Sequence, residues 1–297
     1  MEINSGNLAI LFRAFNTAFK RGFAGISPMW GKVATMVPST TGTEDYGWLG
    51  QIPGMREWIG DRQIQNLKQY DYSIKNKKFE LTVGVERPKI EDDQYGVYSP
   101  MMEMLGQSAA EHPDQLIFPL LAAGFSTACY DGQYFFDTDH PVIQADGSVA
   151  SVSNMQAGAG NPWFLMDTTR PLKPLILQRR KEPQFVALNK PDDNNVFMRD
   201  EIVYGVDDRK NVGYGFWQMA FGSQDVLTSA NFDAAMAAMG AFKGDHGRPL
   251  GVKPNLLVVG YSNRSAARGV VEVERLANGA SNPNWKAVDM LVVPWLA

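Results

Sequence analysis

Asp137, Asp139 and His140 form a grouping of the residue types used for metal-dependent or acid–base chemistry. Carboxylates and an imidazole can hold a divalent ion between them, or pass a proton from an acid to a base. They define one candidate reading, a metal-dependent hydrolase centred on these three residues. Ligands crowded into so short a loop must be completed from elsewhere, and the only other histidines are His112 and His246. Aspartates at a turn also cap and hydrogen-bond their own backbone, which accounts for the trio more economically. The acidic run Glu91-Asp92-Asp93 has no second ligand cluster at recognisable spacing, so it reads as a solvated turn before a helix N-terminus. The sequence holds no Gly-x-Ser-x-Gly elbow, His-Glu-x-x-His, phosphate-cradling glycine loop or paired Cys-x-x-Cys. Cys129 lies between Ala128 and Tyr130, neighbours that offer a thiolate no activation. No catalytic residue, cofactor or metal is therefore assigned, and a structural protein is favoured over an enzyme.

Composition narrows the class further. A chain of 297 residues with 44% apolar and 20% charged residues can bury a substantial core, in one large domain or two smaller ones. With 28 basic and 32 acidic residues the formal charge is −4, too slight to draw the chain to nucleic acid or an anionic membrane. One cysteine excludes an internal disulfide framework and fits a reducing compartment. The sequence has no apolar run long enough to span a bilayer. Its first residues do not read as a signal peptide, since Glu2 precedes the apolar run and Arg13 interrupts it. A protein that is cytosolic where it is made, with no membrane partner, is the expectation.

Periodicity then places the elements. Leu8, Leu11, Phe12, Phe15, Phe19 and Phe23 recur at helical spacing, which predicts an amphipathic helix over 7–23 packed on its own protein or on a neighbouring subunit. Residues 25–54 are irregular and rich in proline and glycine, as in an arm. From Lys78 to Arg87, Phe79, Leu81, Val83 and Val85 alternate with polar residues, the pattern of a half-buried strand. With a more polar stretch from Arg56 to Leu67 and a basic, tyrosine-bearing tip at 68–77, it suggests a long hairpin. A two-stranded ribbon of that length is marginal alone and needs support. The longest helical signal runs from Tyr98 to Phe125. Ser99 is its expected cap and Gly124 its stop, with Met101, Leu105, Ala109, His112, Leu116 and Leu120 along one face. Pro113 and Pro119 each remove a backbone bond, so a kink or break near His112-Pro113 is expected. Residues 144–161 read as a flexible excursion. Strand-like runs follow at 163–166, 175–178, 185–188, 202–204 and 214–221. The last third reads as a compact α/β unit: a helix from Thr228 to Gly244, a strand at 255–259, a helix over 262–276 and a strand at 287–296.

Several blocks, in order along the chain, carry a family resemblance. They are Arg56-Glu57-Trp58-Ile59-Gly60, Tyr72-Ser73-Ile74-Lys75-Asn76-Lys77-Lys78-Phe79-Glu80, Ile90-Glu91-Asp92-Asp93-Gln94-Tyr95-Gly96 and Phe136-Asp137-Thr138-Asp139-His140-Pro141. Further blocks are Arg170-Pro171-Leu172-Lys173-Pro174, Tyr204-Gly205-Val206-Asp207, Trp217-Gln218-Met219-Ala220-Phe221-Gly222-Ser223, Gly247-Arg248-Pro249-Leu250-Gly251 and Pro294-Trp295-Leu296. With them the chain resembles the major head subunits of Mu-like phages and prophages, the gpT family. Their order and spacing, more than any single block, make the likeness.

The resemblance implies an α+β, Hong Kong 97-type capsid fold: an N-terminal arm (1–55), an extended β-hairpin loop (56–95), a peripheral domain with a spine helix (96–225) and an axial domain (226–297). It implies a major capsid protein that self-assembles through hexamers and pentamers into an icosahedral shell around packaged double-stranded DNA. Scaffold, protease and portal proteins would be its partners in the host cytoplasm, and the virion capsid its final location. An encapsulin-like nanocompartment shell is the nearest alternative. Residues expected at assembly interfaces are Tyr70, Tyr72, Lys75, Lys77 and Lys78 of the hairpin and Phe12, Phe15 and Phe19 of the first helix. Some members of this fold cross-link lysine to asparagine between subunits, which the three lysines would suit.

Overall fold

The fold is that of a computed structural model, which describes residues 5–47, 49, 71–92, 96–190 and 192–296. In chain order it comprises α1 (Ser5–Gly25), α2 (Trp30–Val33), β1 (Ala34–Pro38), β2 (Thr43–Asp45), β3 (Ser73–Lys75), β4 (Lys77–Glu86), α3 (Arg87–Glu91) and α4 (Tyr98–Ala122). There follow β5 (His140–Ile143), β6 (Val149–Val152), β7 (Met155–Gln156), β8 (Trp163–Met166), β9 (Leu175–Leu188), α5 (Asn194–Arg199) and β10 (Glu201–Tyr214). The chain closes with β11 (Ala220–Ser223), α6 (Ser229–Gly240), β12 (Leu256–Val259), α7 (Arg264–Val271) and β13 (Asp289–Val292). No helix among the described residues is long and apolar enough to cross a membrane.

Two sheets organise these elements. One has the order β1-β9-β10-β4, the other β13-β12-β8-β11-β7. The second sheet draws β7 and β8 from well before residue 226, and β11 from just before it. The expected boundary there therefore passes through a single sheet, in which β8 pairs antiparallel with both β11 and β12. Runs apolar enough to be buried on both faces meet wherever their registers match, regardless of distance along the chain.

The alternating strand at 78–87 is present as β4, but its described partner is not the preceding arm of a hairpin. Glu86 to Lys77 pair in unbroken antiparallel register with Glu201 to Lys210 of β10, which makes β4 the edge of the first sheet. The stretch Arg56–Leu67 lies outside the described residues. The runs expected separately at 175–178 and 185–188 are one strand, β9, continuous through Pro183. Proline is tolerated there because Pro183 falls at a break in the β9–β10 register and, among the described residues, no strand pairs with β9 on its other side beyond Arg179. The flexible excursion at 144–161 instead holds the β5–β6 hairpin, turned at Gly147 with positive φ.

The long helix departs from expectation in three ways. It runs unbroken through Pro113 and Pro119. It starts at Tyr98 without a side-chain cap from Ser99. Its buried stripe is Met102, Leu105, Ala109, Pro113, Ile117 and Leu121, while Met101 is exposed. Both stripes obey helical spacing, and packing on two sides selects between them. Tertiary contacts also explain the continuity. Asp114, buried next to Pro113, accepts hydrogen bonds from Met29 N (2.9 Å) and Trp30 N (2.6 Å), so the helix is clamped where a bond is missing.

Helix α1 crosses α4 almost backbone to backbone. A Cβ at Gly106 would lie 2.1 Å from Phe19 O, and one at Gly22 would lie 1.9 Å from Glu103 O. Arg21 Nε donates to Glu103 Oε2 at 3.0 Å beside the crossing. The close approach lets Phe15 meet Tyr204 edge-on at 5.1 Å and Phe19 stack on Phe185 at 5.3 Å, closing a core over β9 and β10. Gly106→Ala should therefore destabilise the protein by about 1–3 kcal/mol in urea unfolding, because the overpacking outweighs the ~1 kcal/mol that alanine gains in a helix. Gly240→Ala, with open space around it, should be neutral or slightly stabilising.

Candidate functional site

Of the hairpin residues expected to act in assembly, Lys75 lies on a short two-stranded sheet, Tyr72 stands just before it, and Lys77 and Lys78 begin β4. β2 pairs antiparallel with β3, and Ile74 at its centre is buried. Buried Gln178 of β9 ties the two together: its Nε2 donates to Ile74 O at 2.9 Å, and its Oε1 accepts from Tyr46 Oη at 2.9 Å. Tyr72 is half-buried, and its hydroxyl accepts from Tyr214 N at 2.7 Å. Burial pushes that phenol up to about 12. Tyr72 is thus an anchor within the chain. Lys75, Lys77 and Lys78 are exposed, whereas Asn76 between them turns inward and donates to Ser39 Oγ (2.8 Å) and Thr41 O (3.0 Å). Alternation along an extended chain sets Lys75 and Lys77 on the face opposite Asn76. Tyr70 lies outside the described residues.

On α1, Phe15 and Phe19 are buried against their own sheet, and Phe12 stacks on Phe185 at 5.6 Å. Phe15 and Phe19 are covered within the chain, and Phe12 is partly covered.

Glu44 holds the loop that leads into this region. One carboxylate oxygen accepts from Thr40 N (2.7 Å), Thr41 N (3.0 Å) and Ser39 Oγ (2.9 Å). The Thr41 and Thr40 amides, helped by Ser39, hold its pKa down to about 2. Since the folded value lies below the unfolded one, the stabilisation is complete above about pH 4.5 and is lost as pH falls towards 2. Protection of the Thr40 and Thr41 amides, relative to their intrinsic exchange rates, should fall over that window in the wild type, and Glu44→Gln should show the lower protection at neutral pH.

The Asp137/Asp139/His140 trio does not converge. His140 is fully buried and turns away from both aspartates. Its Nδ1 lies 2.7 Å from Asp131 Oδ2, its Nε2 lies 3.3 Å from Asn154 Oδ1, and its ring stacks on Trp217 at 4.0 Å. Asn154 Nδ2 donates to the carbonyls of Phe135, Trp217 and Ala220, so Oδ1 is the acceptor and His140 Nε2 carries a proton. Asp131 Oδ1 accepts from Gln133 N and from the Cys129 thiol, each at 3.1 Å. Burial, reinforced by Asp131, pushes the thiol up and keeps it a donor. The ligand-type atoms of Cys129, Asp131 and His140 lie within 4.8 Å of one another. Each is already matched donor to acceptor, however, and the network pins the 129–140 segment to β11 and the turn before it.

Asp137 instead caps its own turn, accepting from Thr138 N (2.7 Å) and Tyr134 N (3.0 Å). Asp139 is exposed, and its hydrogen bond with Asp137 raises its pKa. Sequence reading placed the histidine but missed Asp131, Asn154 and Trp217, whose one signal was a polar Asp-Gly turn nearby.

Among the described residues, the groups of the Cys129–Asp131–His140 network are bonded to partners within the fold. Residues 8–296 match the family described as Mu-like prophage major head subunit gpT. The chain belongs to this family of major capsid proteins. It is 46% identical over 282 residues to the Mu-like prophage FluMu major head subunit of Haemophilus influenzae, covering 92% of each chain. It is 40% identical over 285 residues to the major capsid protein of Escherichia phage Mu, covering 94% of this chain and 93% of the other. A subunit from the procapsid of bacteriophage JBD30 superposes with a TM-score of 0.89 at 49% identity, covering 99% of this chain and 100% of that one. The fold is thus the Hong Kong 97-type capsid fold, and the head subunit is a structural component of a virion, not an enzyme. The hydrolase reading is withdrawn. Asp131→Ala should cost about 1–3 kcal/mol by leaving buried His140 Nδ1 and the Cys129 thiol without their hydrogen-bond partner, while Asp139→Ala should stay within about 0.5 kcal/mol of wild type in thermal or urea unfolding.

Proposed function

We propose that this head subunit assembles through hexamers and pentamers into an icosahedral shell that encloses packaged double-stranded DNA. The observation that carries the reading is the end-to-end likeness to a procapsid subunit, which leaves no part of this fold over for another task. The five-stranded sheet with α6 and α7 serves as the axial domain around the ring axes. The four-stranded sheet with α4 as spine serves as the peripheral domain. Within residues 1–55 and 56–95, the parts other than α1, β1 and β4, which pack into the body, act as the arm and extended loop that reach neighbouring subunits. Scaffold, protease and portal proteins take part during assembly in the host cytoplasm.

The physics of a shell suits these parts. Each subunit meets its neighbours in several slightly different ways, so rigid bodies joined by many weak contacts gain strength through multivalency without demanding one fixed angle. The slight negative charge also fits, because an inner wall that gripped DNA would oppose packaging and release. Exposed Lys75, Lys77 and Lys78 offer a positive edge to a neighbour. Rings or shells should appear in electron micrographs of the purified chain. Reversing the three lysines to glutamate should leave the unfolding midpoint unchanged but reduce the assembled fraction. A wild-type chain that stays monomeric across concentration and salt would overturn the reading.

A further inference from the structure

Between α4 and the β4–β10 edge of the first sheet lies an open cavity of about 200 Å³. Strand register sets Phe79 opposite Asp208 and Leu81 opposite Val206, so these four side chains share one face of the sheet. Phe79, Leu81 and Val206, with Ala109 of α4, supply the apolar walls.

The polar groups that meet these walls are incompletely satisfied. Asp208 is only 6% exposed; its Oδ2 lies 2.5 Å from Lys210 Nζ, while its Oδ1 has no hydrogen-bond partner. A buried acceptor without a donor destabilises the fold, and a donor carried by a ligand removes that cost. The His112 ring packs edge-on against Phe79 at 4.4 Å. Burial, with help from Lys210, pulls its pKa below the ordinary value, so it lines the cavity as a neutral imidazole. Gln115, three residues further along α4, adds an amide to the same wall.

Charge then selects the kind of ligand. The lining holds the carboxylates of Glu80, Asp207 and Asp208 and, with His112 neutral, no cation among the described residues. Lys181 pairs with Asp207 at 2.6 Å and Lys210 with Asp208, but Glu80 makes no ion pair among the described residues. The surroundings of the cavity are therefore net negative.

We propose that this cavity binds a small organic cation, an ammonium or amidinium group on an apolar body about the size of one ring. The cation donates to Asp208 Oδ1 in the field of Glu80 and Asp207, and the body fills the space between Phe79, Leu81, Ala109 and Val206. Volume sets the size, since a cavity of about 150 Å³ accepts one benzene ring. A neutral alcohol satisfies the oxygen but not the charge, and an anion meets three carboxylates. A molecule seated there touches helix and sheet together, tying α4 to β4 beside Pro113.

Benzylamine, protonated at neutral pH, is the probe, with benzyl alcohol and benzoate as its neutral and anionic counterparts. Titration calorimetry on the purified chain should show one saturable site, with benzylamine bound at least tenfold more tightly than either counterpart. Glu80→Gln changes an exposed side chain, so it should keep the unfolding midpoint and weaken benzylamine at least threefold, with benzyl alcohol unaffected. Ser108 is exposed at the cavity lining, and Ser108→Trp should lay an indole across it and abolish binding of all three probes. The proposal is overturned by an absence of saturable binding, by equal affinity for the three probes, or by a Glu80→Gln chain that binds benzylamine as the wild type does. Unchanged binding by Ser108→Trp would place the site elsewhere and also defeat it. If that variant misfolds, the probe series and Glu80→Gln still decide the matter.

Discussion

Helix α4 has to remain one rod, because it belongs to two hydrophobic cores at once. Met102, Leu105 and Ala109, in its first half, pack with α1 and the distal parts of β9 and β10. Ile117, Phe118 and Leu121, in its second half, belong to the larger core with β8, β12 and the start of β9. A hinge between the halves would let the cores move independently, and a shell subunit bent at that point could not hold its neighbours at defined angles. Yet Pro113 stands at the junction. Removing one helical hydrogen bond costs a few kcal/mol, and burial of large side chains on either side contributes of order 1.5–3 kcal/mol each. Packing wins, and the Asp114 carboxylate braces the place where it has to.

The same logic explains the glycines at the α1–α4 crossing. Gly22 and Gly106 give up helix propensity and let two backbones meet, which brings three phenylalanines of α1 onto the sheet. Rigidity is therefore concentrated where helices meet strands. The sheet edges of β4 and distal β9 are left open among the described residues. A building unit of a closed shell needs that division: fixed inside, unfinished at the rim.

The buried Cys129–Asp131–His140–Asn154 network shows how readily a structural device imitates an active site. It has the residue types of a metal centre or a catalytic dyad, is almost wholly shielded from water, and includes a stacked tryptophan. What separates it from chemistry is saturation. Every lone pair and proton that matters has a partner within the fold, which leaves nothing to offer a substrate. Such a network specifies one conformation of the 129–140 loop, and through Asn154 it joins that loop to the strands of the second sheet.

Much of this was legible along the chain. The amphipathic run of phenylalanines, the alternation from Phe79 to Val85, the Thr228 cap with its helix and the apolar run Leu256–Val259 each became the element their periodicity demanded, because local spacing alone decides which face can be buried. The ordered blocks from Arg56 to Leu296 were enough to name the family. What the sequence could not decide was partnership. β4 joins β10 across more than a hundred residues, β8 joins strands from both sides of residue 226, α4 buries one of two equally periodic stripes, and His140 turns to Asp131 instead of Asp137. Each outcome is a choice among local patterns of nearly equal merit, and only simultaneous packing of both cores makes one of them lower in free energy.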